Sequence, residues 1–139
     1  MYDEAVEAVR SAHLERWVKV HQFISRMHFA YAAADVVISR AGAIAISELC
    51  LVGKPVILIP SPNVAEDHQT KNAMALVEKG AAVMVRDDEC TSKGLTMALS
   101  LLRDPVQCET MGNAIKSLAV SHAADRIVDE IEKLMKSKR

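Results

Sequence analysis

The sequence SRAGAIAISE at residues 39–48 decides the predicted fold. The apolar run DVVI at 35–38 precedes it, and an Ala/Ile/Leu-rich segment follows it and ends at Val52-Gly53. This order is typical of a strand, a tight turn at Gly42 and a helix. We expect Gly42 to allow a backbone conformation that a side chain would forbid, and to let another molecule approach the main chain.

The start of this helix is a candidate phosphate site. The first turn of a helix presents unpaired N–H groups and the positive end of the helix dipole. Glu48 lies further along, and helical side chains lean towards the N-terminus, so we expect its carboxylate to reach back towards the same opening. A carboxylate repels phosphate but accepts hydrogen bonds from ribose hydroxyls. The stretch therefore predicts a nucleotide site, with diphosphate on the turn and ribose on the acid.

The composition indicates one soluble globular domain. The chain has 139 residues, 50% of them hydrophobic, and a net charge of −1, which gives no support to a nucleic-acid surface. No apolar run approaches the ~20 residues of a membrane span, and the acidic N-terminus is unlike a signal peptide. The cysteines have neither metal-ligand nor disulfide spacing, so we expect reduced thiols in the cytoplasm.

The rest of the chain alternates predicted strands and helices. The strands are predicted at 18–24, 35–39, 55–60 and 81–86. Helices with both ends predicted lie at 3–17, at 43–52, from a cap at Ser25 to Ala34, from a cap at Asp67 to Gly80, and from a cap at Thr91 to about Leu102. Two further helices are predicted to start at Asp104-Pro105 and at Ser121 or His122. This alternation implies a parallel sheet with helices on both faces. Ligands bind such sheets beyond the carboxyl ends of the strands.

Several motifs resemble the MurG family of bacterial glycosyltransferases. They are FISRM at 23–27, AYAAADVVISRAGA at 30–43, Ser47-Glu48, GKP at 53–55 and DHQTKNA at 67–73. The resemblance runs from about Phe23 to the C-terminus and is dense between 23 and 83. It implies an α/β, Rossmann-like domain, the C-terminal half of a GT-B glycosyltransferase. Residues 1–139 are then expected to form a single, truncated, UDP-GlcNAc-binding domain.

The resemblance also implies a reaction. The family transfers N-acetylglucosamine (GlcNAc), with inversion, from UDP-GlcNAc to the undecaprenyl-pyrophosphoryl-muramyl-pentapeptide lipid I, which yields lipid II for peptidoglycan. The full-length enzyme is expected at the cytoplasmic face of the inner membrane. Acceptor binding and the unidentified general base are assigned to a missing N-terminal domain, so the fragment alone is expected to bind donor without turnover. The resemblance implies no metal and no cofactor.

Two positions are implied in uracil binding and one in ribose binding. Phe23 and Ile24 match residues that meet the uracil, the second through its backbone. A strand end packed into a core would explain the same two residues. Glu48 matches the acid that holds the ribose diol, and the alternative is a solvated glutamate on a helix face.

The turn after the second predicted strand is implied in diphosphate binding. Its matching residues are Arg40, Ala41, Gly42 and Ala43. Arg40 is a candidate to neutralise the diphosphate, but it could equally pair with Asp35 or with a surface acid.

The motif at 67–73 is implied in sugar binding. Gln69 matches a residue that contacts GlcNAc hydroxyls, to which an amide can both donate and accept hydrogen bonds. Thr70 stands where many relatives have a second glutamine. Asn72 is expected to fix the loop, and Asp67 and His68 to be a helix cap and an exposed histidine.

Two other functions stay open at the level of sequence. The chain could be a nucleotide-sugar-binding subunit that works with a separate acceptor-binding chain, as in the eukaryotic dolichol-linked GlcNAc transferase. It could also be a remnant that folds without activity. An exposed interdomain face could drive homodimer formation.

Overall fold

The computed structural model describes residues 1–62 and 68–119, which fall into two compact units. The first unit is Met1–Ala32. It contains helix α1 (Tyr2–Ser11) and most of helix α2 (Met27–Ala33). The prediction of a strand at 18–24 is wrong, because these residues have no regular secondary structure. β-Branched and aromatic residues form a strand only where a neighbouring strand can pair with theirs. In this segment Phe23 is instead 84% exposed.

The second unit begins at Ala33 and contains a parallel sheet. Its strands are β1 (Val37–Ser39), β2 (Val56–Leu58) and β3 (Val83–Met84), in the order β1-β2-β3. Helix α3 (Ala43–Val52) connects β1 to β2, and helix α4 (His68–Val77) lies between β2 and β3 in the chain. The predicted α/β fold with parallel strands is confirmed.

Helices cover both faces of the sheet. All three residues of β2 are fully buried. Ile57 packs with Val85 and with Ala98, Leu101 and Met111, which belong to helix α5 (Leu95–Leu102) and to helix α6 (105–119). Successive strand residues point to opposite faces, so the other two residues of β2 are buried against the second face.

Two glycines fix the far end of α3. Gly53 follows the helix with φ +71° and donates its N–H to the Leu49 carbonyl at 3.2 Å. This left-handed cap is the one predicted from sequence. Gly112 of α6 passes so close that a Cβ on it would lie 2.8 Å from the Gly53 carbonyl oxygen, so only glycine fits there.

Several element boundaries differ from the predictions. The first helix ends at Ser11, and β3 has two residues instead of six (81–86 predicted). The helix predicted from Thr91 begins at Leu95, after a 3₁₀ turn at Asp87–Glu89 and a π turn at Cys90–Gly94. The predicted start at Asp104-Pro105 is confirmed, because the Asp104 carboxylate accepts the Gln107 N–H at 3.1 Å. The predicted Asp67 cap and the last helix lie outside the described residues.

Candidate functional site

The carboxyl ends of the strands meet at one edge of the sheet. The chain continues from β1 into Arg40–Gly42, from β2 into 59–62 and from β3 into 85–89. The first residues of α3 and α4 lie at this edge, because each helix follows the strand that ends there. In an open parallel sheet this edge is where ligands bind.

Two amide side chains of α4 hold the backbone of Ala41. The Ala41 N–H donates to Gln69 Oε1 at 3.3 Å, and Asn72 Nδ2 donates to the Ala41 carbonyl at 3.2 Å. The Ser61 N–H donates to the same Gln69 oxygen at 2.8 Å. Ala41 is fully buried, so both its backbone polar groups need these partners. We call this arrangement of Gln69, Asn72 and Ala41 the amide clamp.

The clamp limits what Gln69 can offer a ligand. Its oxygen already accepts two backbone N–H groups, which also fixes the orientation of the amide. The amide nitrogen Nε2 lies beside the turn, 3.8 Å from a Cβ built on Gly42. These two bonds occupy the oxygen of the Gln69 amide and not its nitrogen Nε2. The predicted contact with GlcNAc stays a prediction.

Gly42 is the N-cap of α3 but needs no special backbone conformation. Its φ of −67° and ψ of 152° are open to any residue, so the prediction that a side chain would be forbidden there is wrong. A cap residue such as serine would satisfy one N–H of the first turn with its own side chain. Gly42 has no side chain and therefore makes no capping bond of this kind. The first turn, where Ala43 is exposed, therefore presents N–H donors of the kind that bind an anion.

Glu48 lies on the exposed face of the same helix. Ile44 and Leu51 share this face and are 79% and 73% exposed. The face is thus apolar on both sides of the carboxylate. The predicted ribose contact stays a prediction.

Arg40 binds the edge of the sheet. Its Nη1 donates to the carbonyls of Ile59 and Pro60 at 3.3 and 3.4 Å and forms an ion pair with Asp87. Of the partners left open from sequence, the structure selects a surface acid, Asp87.

Thr70 lines a cavity of about 440 Å³ at the same edge. The other described residues of its wall come from the end of β3 and from the loops after β2 and β3, and they are Pro60, Pro62, Met84, Arg86, Asp87 and Asp88. Sequence reasoning assigned no role to the last three. The signal for them was topological, since Arg86 ends a predicted parallel strand and Asp87 and Asp88 follow it.

The model of the glycosyltransferase family 28 C-terminal domain matches residues 2–127. The chain belongs to this family. It is 59% identical over 116 residues to a Parabacteroides distasonis protein, covering 84% of this chain and 32% of that protein. It is 56% identical over 120 residues to a Porphyromonas gingivalis W83 protein, covering 86% and 32%. Both carry the name UDP-N-acetylglucosamine–N-acetylmuramyl-(pentapeptide) pyrophosphoryl-undecaprenol N-acetylglucosamine transferase.

A solved member of the same fold is similar as well. The crystal structure of Acinetobacter baumannii MurG superposes with a TM-score of 0.64 at 30% identity, covering 80% of this chain and 33% of that one. The chain therefore spans about a third of the length of the relatives it matches. The predicted resemblance to the MurG family and the predicted GT-B fold are confirmed.

Phe23 and Ile24 of this family 28 domain belong to the first compact unit. Phe23 is 84% exposed, and Ile24 is half-buried. A strand end buried in a core, the alternative considered from sequence, does not describe Phe23. The predicted uracil contact stays a prediction.

Other chemistry is sparse in the described part of the chain. Burial raises the pKa of the Cys50 thiol, which makes it a weak nucleophile. Within residues 1–62 and 68–119 no three His, Cys, Asp or Glu side chains are grouped to hold a metal. No helix there is long and apolar enough to cross a membrane.

We predict that Asn72→Ala lowers the free energy of unfolding by about 1–3 kcal/mol, because it leaves the buried Ala41 carbonyl without its donor. Urea unfolding measures the loss. Lys71→Ala is the matched control, since Lys71 is exposed on the same turn of α4. Equal stability of the two variants would contradict a structural role for the clamp.

Proposed function

We propose that this chain is the donor-binding part of a hexosyltransferase that moves GlcNAc from UDP-GlcNAc to undecaprenyl-pyrophosphoryl-MurNAc-pentapeptide in peptidoglycan synthesis. The observation that carries the proposal is the 50–59% identity, over 84–96% of the chain, with relatives that bear this name. Because the chain spans about a third of those relatives, the whole reaction is a proposal for it.

The diphosphate of the donor is assigned to the first turn of α3. The amide clamp holds Ala41 in place, so the N–H groups that follow Gly42 are pre-oriented before the ligand arrives. Arg40 adds positive charge directly before the turn. Fixed donors of this kind are stronger than water at holding negative charge, because they need no reorganisation.

The remaining parts of the donor are assigned residue by residue. Glu48 takes the ribose hydroxyls, and Phe23 and Ile24 take the uracil. Gln69 donates through Nε2 to a hydroxyl of GlcNAc. Thr70, on the wall of the cavity, offers one hydroxyl to the same sugar.

The proposed transfer breaks the bond between the sugar C1 and the diphosphate oxygen. An acceptor hydroxyl forms the new bond to C1 from the opposite face, a general base takes its proton, and UDP leaves with the electron pair. Charge accumulates on the leaving diphosphate, where the α3 terminus and Arg40 stabilise it. The base and the acceptor site are assigned to the part of the relatives that this chain does not match.

The proposal includes the setting of the reaction. The enzyme acts from the cytoplasm at the cytoplasmic face of the inner membrane, as a peripheral protein, because its acceptor is a lipid. The proposal also includes a homodimer that forms through the exposed interdomain face.

We predict that UDP and UDP-GlcNAc raise the melting temperature of the 139-residue chain and that ADP raises it less. Diphosphate is common to all three ligands, so the difference reports on the base. Differential scanning fluorimetry at equal ligand concentrations measures it. Equal shifts with UDP and ADP would remove the uracil assignment.

We predict that Glu48→Gln weakens UDP binding about ten- to a hundred-fold, because a ribose hydroxyl loses a charged acceptor worth about 1.5–3 kcal/mol. Calorimetric titration measures the affinity. Glu78→Gln is the control, because it makes the same chemical change just after the C-terminal end of α4. This variant should bind UDP as the wild type does. Unchanged affinity of Glu48→Gln would exclude the ribose role.

We predict no sugar transfer by the 139-residue chain alone. Holding donor and acceptor together can supply about 7–11 kcal/mol of barrier lowering, and this chain is assigned only the donor. Incubation with labelled UDP-GlcNAc and a lipid I analogue measures product, with and without the N-terminal part of a close relative as a second chain. Product from the 139-residue chain alone would overturn the assignment of acceptor and base to that part.

A further inference from the structure

Arg40 joins the ends of all three strands of the sheet. It follows β1 directly, donates to the carbonyls of Ile59 and Pro60 after β2, and pairs with Asp87 after β3. Every one of these contacts with described residues uses the same nitrogen, Nη1. The edge of the sheet therefore binds the guanidinium group through one of its nitrogens.

These contacts restrict the direction of the remaining donors. The guanidinium group is planar and rigid, so three contacts to Nη1 limit where Nη2 and Nε can point. Arg40 also lies two residues before Gly42, and its neighbour Ala41 is held by the amide clamp. The contacts that hold Arg40 and the amide clamp that holds the turn therefore act on adjacent residues.

We propose that Asp87 is a positioning residue for the donor diphosphate, acting through Arg40. Its carboxylate holds Nη1 at the edge, so that Nη2 and Nε face the ligand and the Gly42 turn keeps its place. The inference rests on the proposed function, because it concerns the same diphosphate site.

The sign of the effect separates this role from simple electrostatics. Asp87 carries a negative charge, and removing a negative charge beside a diphosphate site should strengthen anion binding. A positioning role predicts the opposite. The ion pair is 54% exposed at Arg40 and 36% at Asp87, so its loss should change the stability of the fold only slightly.

The adjacent residue is a matched control. Asp88 has the same charge and lies in the same 3₁₀ turn, but it pairs with Arg86 at 3.1 Å. Both partners of that pair are largely exposed, at 72% and 66%. Asp88→Ala therefore removes the same charge from the same loop and leaves Arg40 held.

The test compares Asp87→Ala with Asp88→Ala in UDP titration by calorimetry and in uridine titration by NMR. We expect Asp87→Ala to bind UDP about three- to ten-fold more weakly, as coupled residues do, and uridine as the wild type does. Asp88→Ala should match the wild type with UDP or bind slightly tighter. In Arg40→Ala, adding Asp87→Ala should have no further effect on UDP binding.

UDP affinity in Asp87→Ala equal to or above that of the wild type would overturn the proposal. A second readout needs no ligand. Asp87→Ala should speed hydrogen exchange of the Ala41 N–H, and Asp88→Ala should not. If the wild type fails to bind UDP, the proposed function fails, and the exchange rates alone decide whether Asp87 positions the turn. Equal exchange in both variants would then overturn the positioning role.

Discussion

The candidate site depends on the hydrogen bonds between α4 and the buried backbone of Ala41. Gln69 and Asn72 satisfy both polar groups of that residue, and Gln69 also takes the Ser61 N–H. Without them, a buried N–H and a buried carbonyl would be left unpaired at the end of a strand. The same bonds tie the loop after β1 to the loop after β2. The hydrogen bonds that stabilise the edge of the sheet therefore also set the shape of the candidate site.

This constraint gives Gln69 and Arg40 a structural role beside the binding role proposed for each. The amide oxygen of Gln69 accepts two backbone hydrogen bonds, and its nitrogen lies beside Gly42. Arg40 likewise uses Nη1 on the sheet edge. In each side chain, one atom is bound within the protein, and these bonds do not use the other nitrogen donors. Donors held in this way lose little conformational entropy when a ligand binds, which is how pre-organised sites gain affinity.

Local signals in the sequence predicted much of the second unit. The bounds of α3 and its cap at Gly53 follow from an apolar run, a glycine at each end and helix propensity. The strand predicted at 18–24 failed because pairing depends on neighbours distant in the chain. The contacts of Arg40 with Asp87, and of Gln69 with Ala41, join residues far apart in sequence. Residue types alone could place these side chains at the edge, but they could not show which atoms meet.

The most direct test of the account is a UDP titration followed through the backbone amide signals of the chain by NMR. The proposed diphosphate site is the first turn of α3, which follows the backbone of Ala41 that the amide clamp holds. This assignment predicts that the largest shift changes fall on residues 41–45, and that inorganic pyrophosphate reproduces part of them. Changes that leave residues 41–45 unmoved while other residues respond to UDP would contradict it.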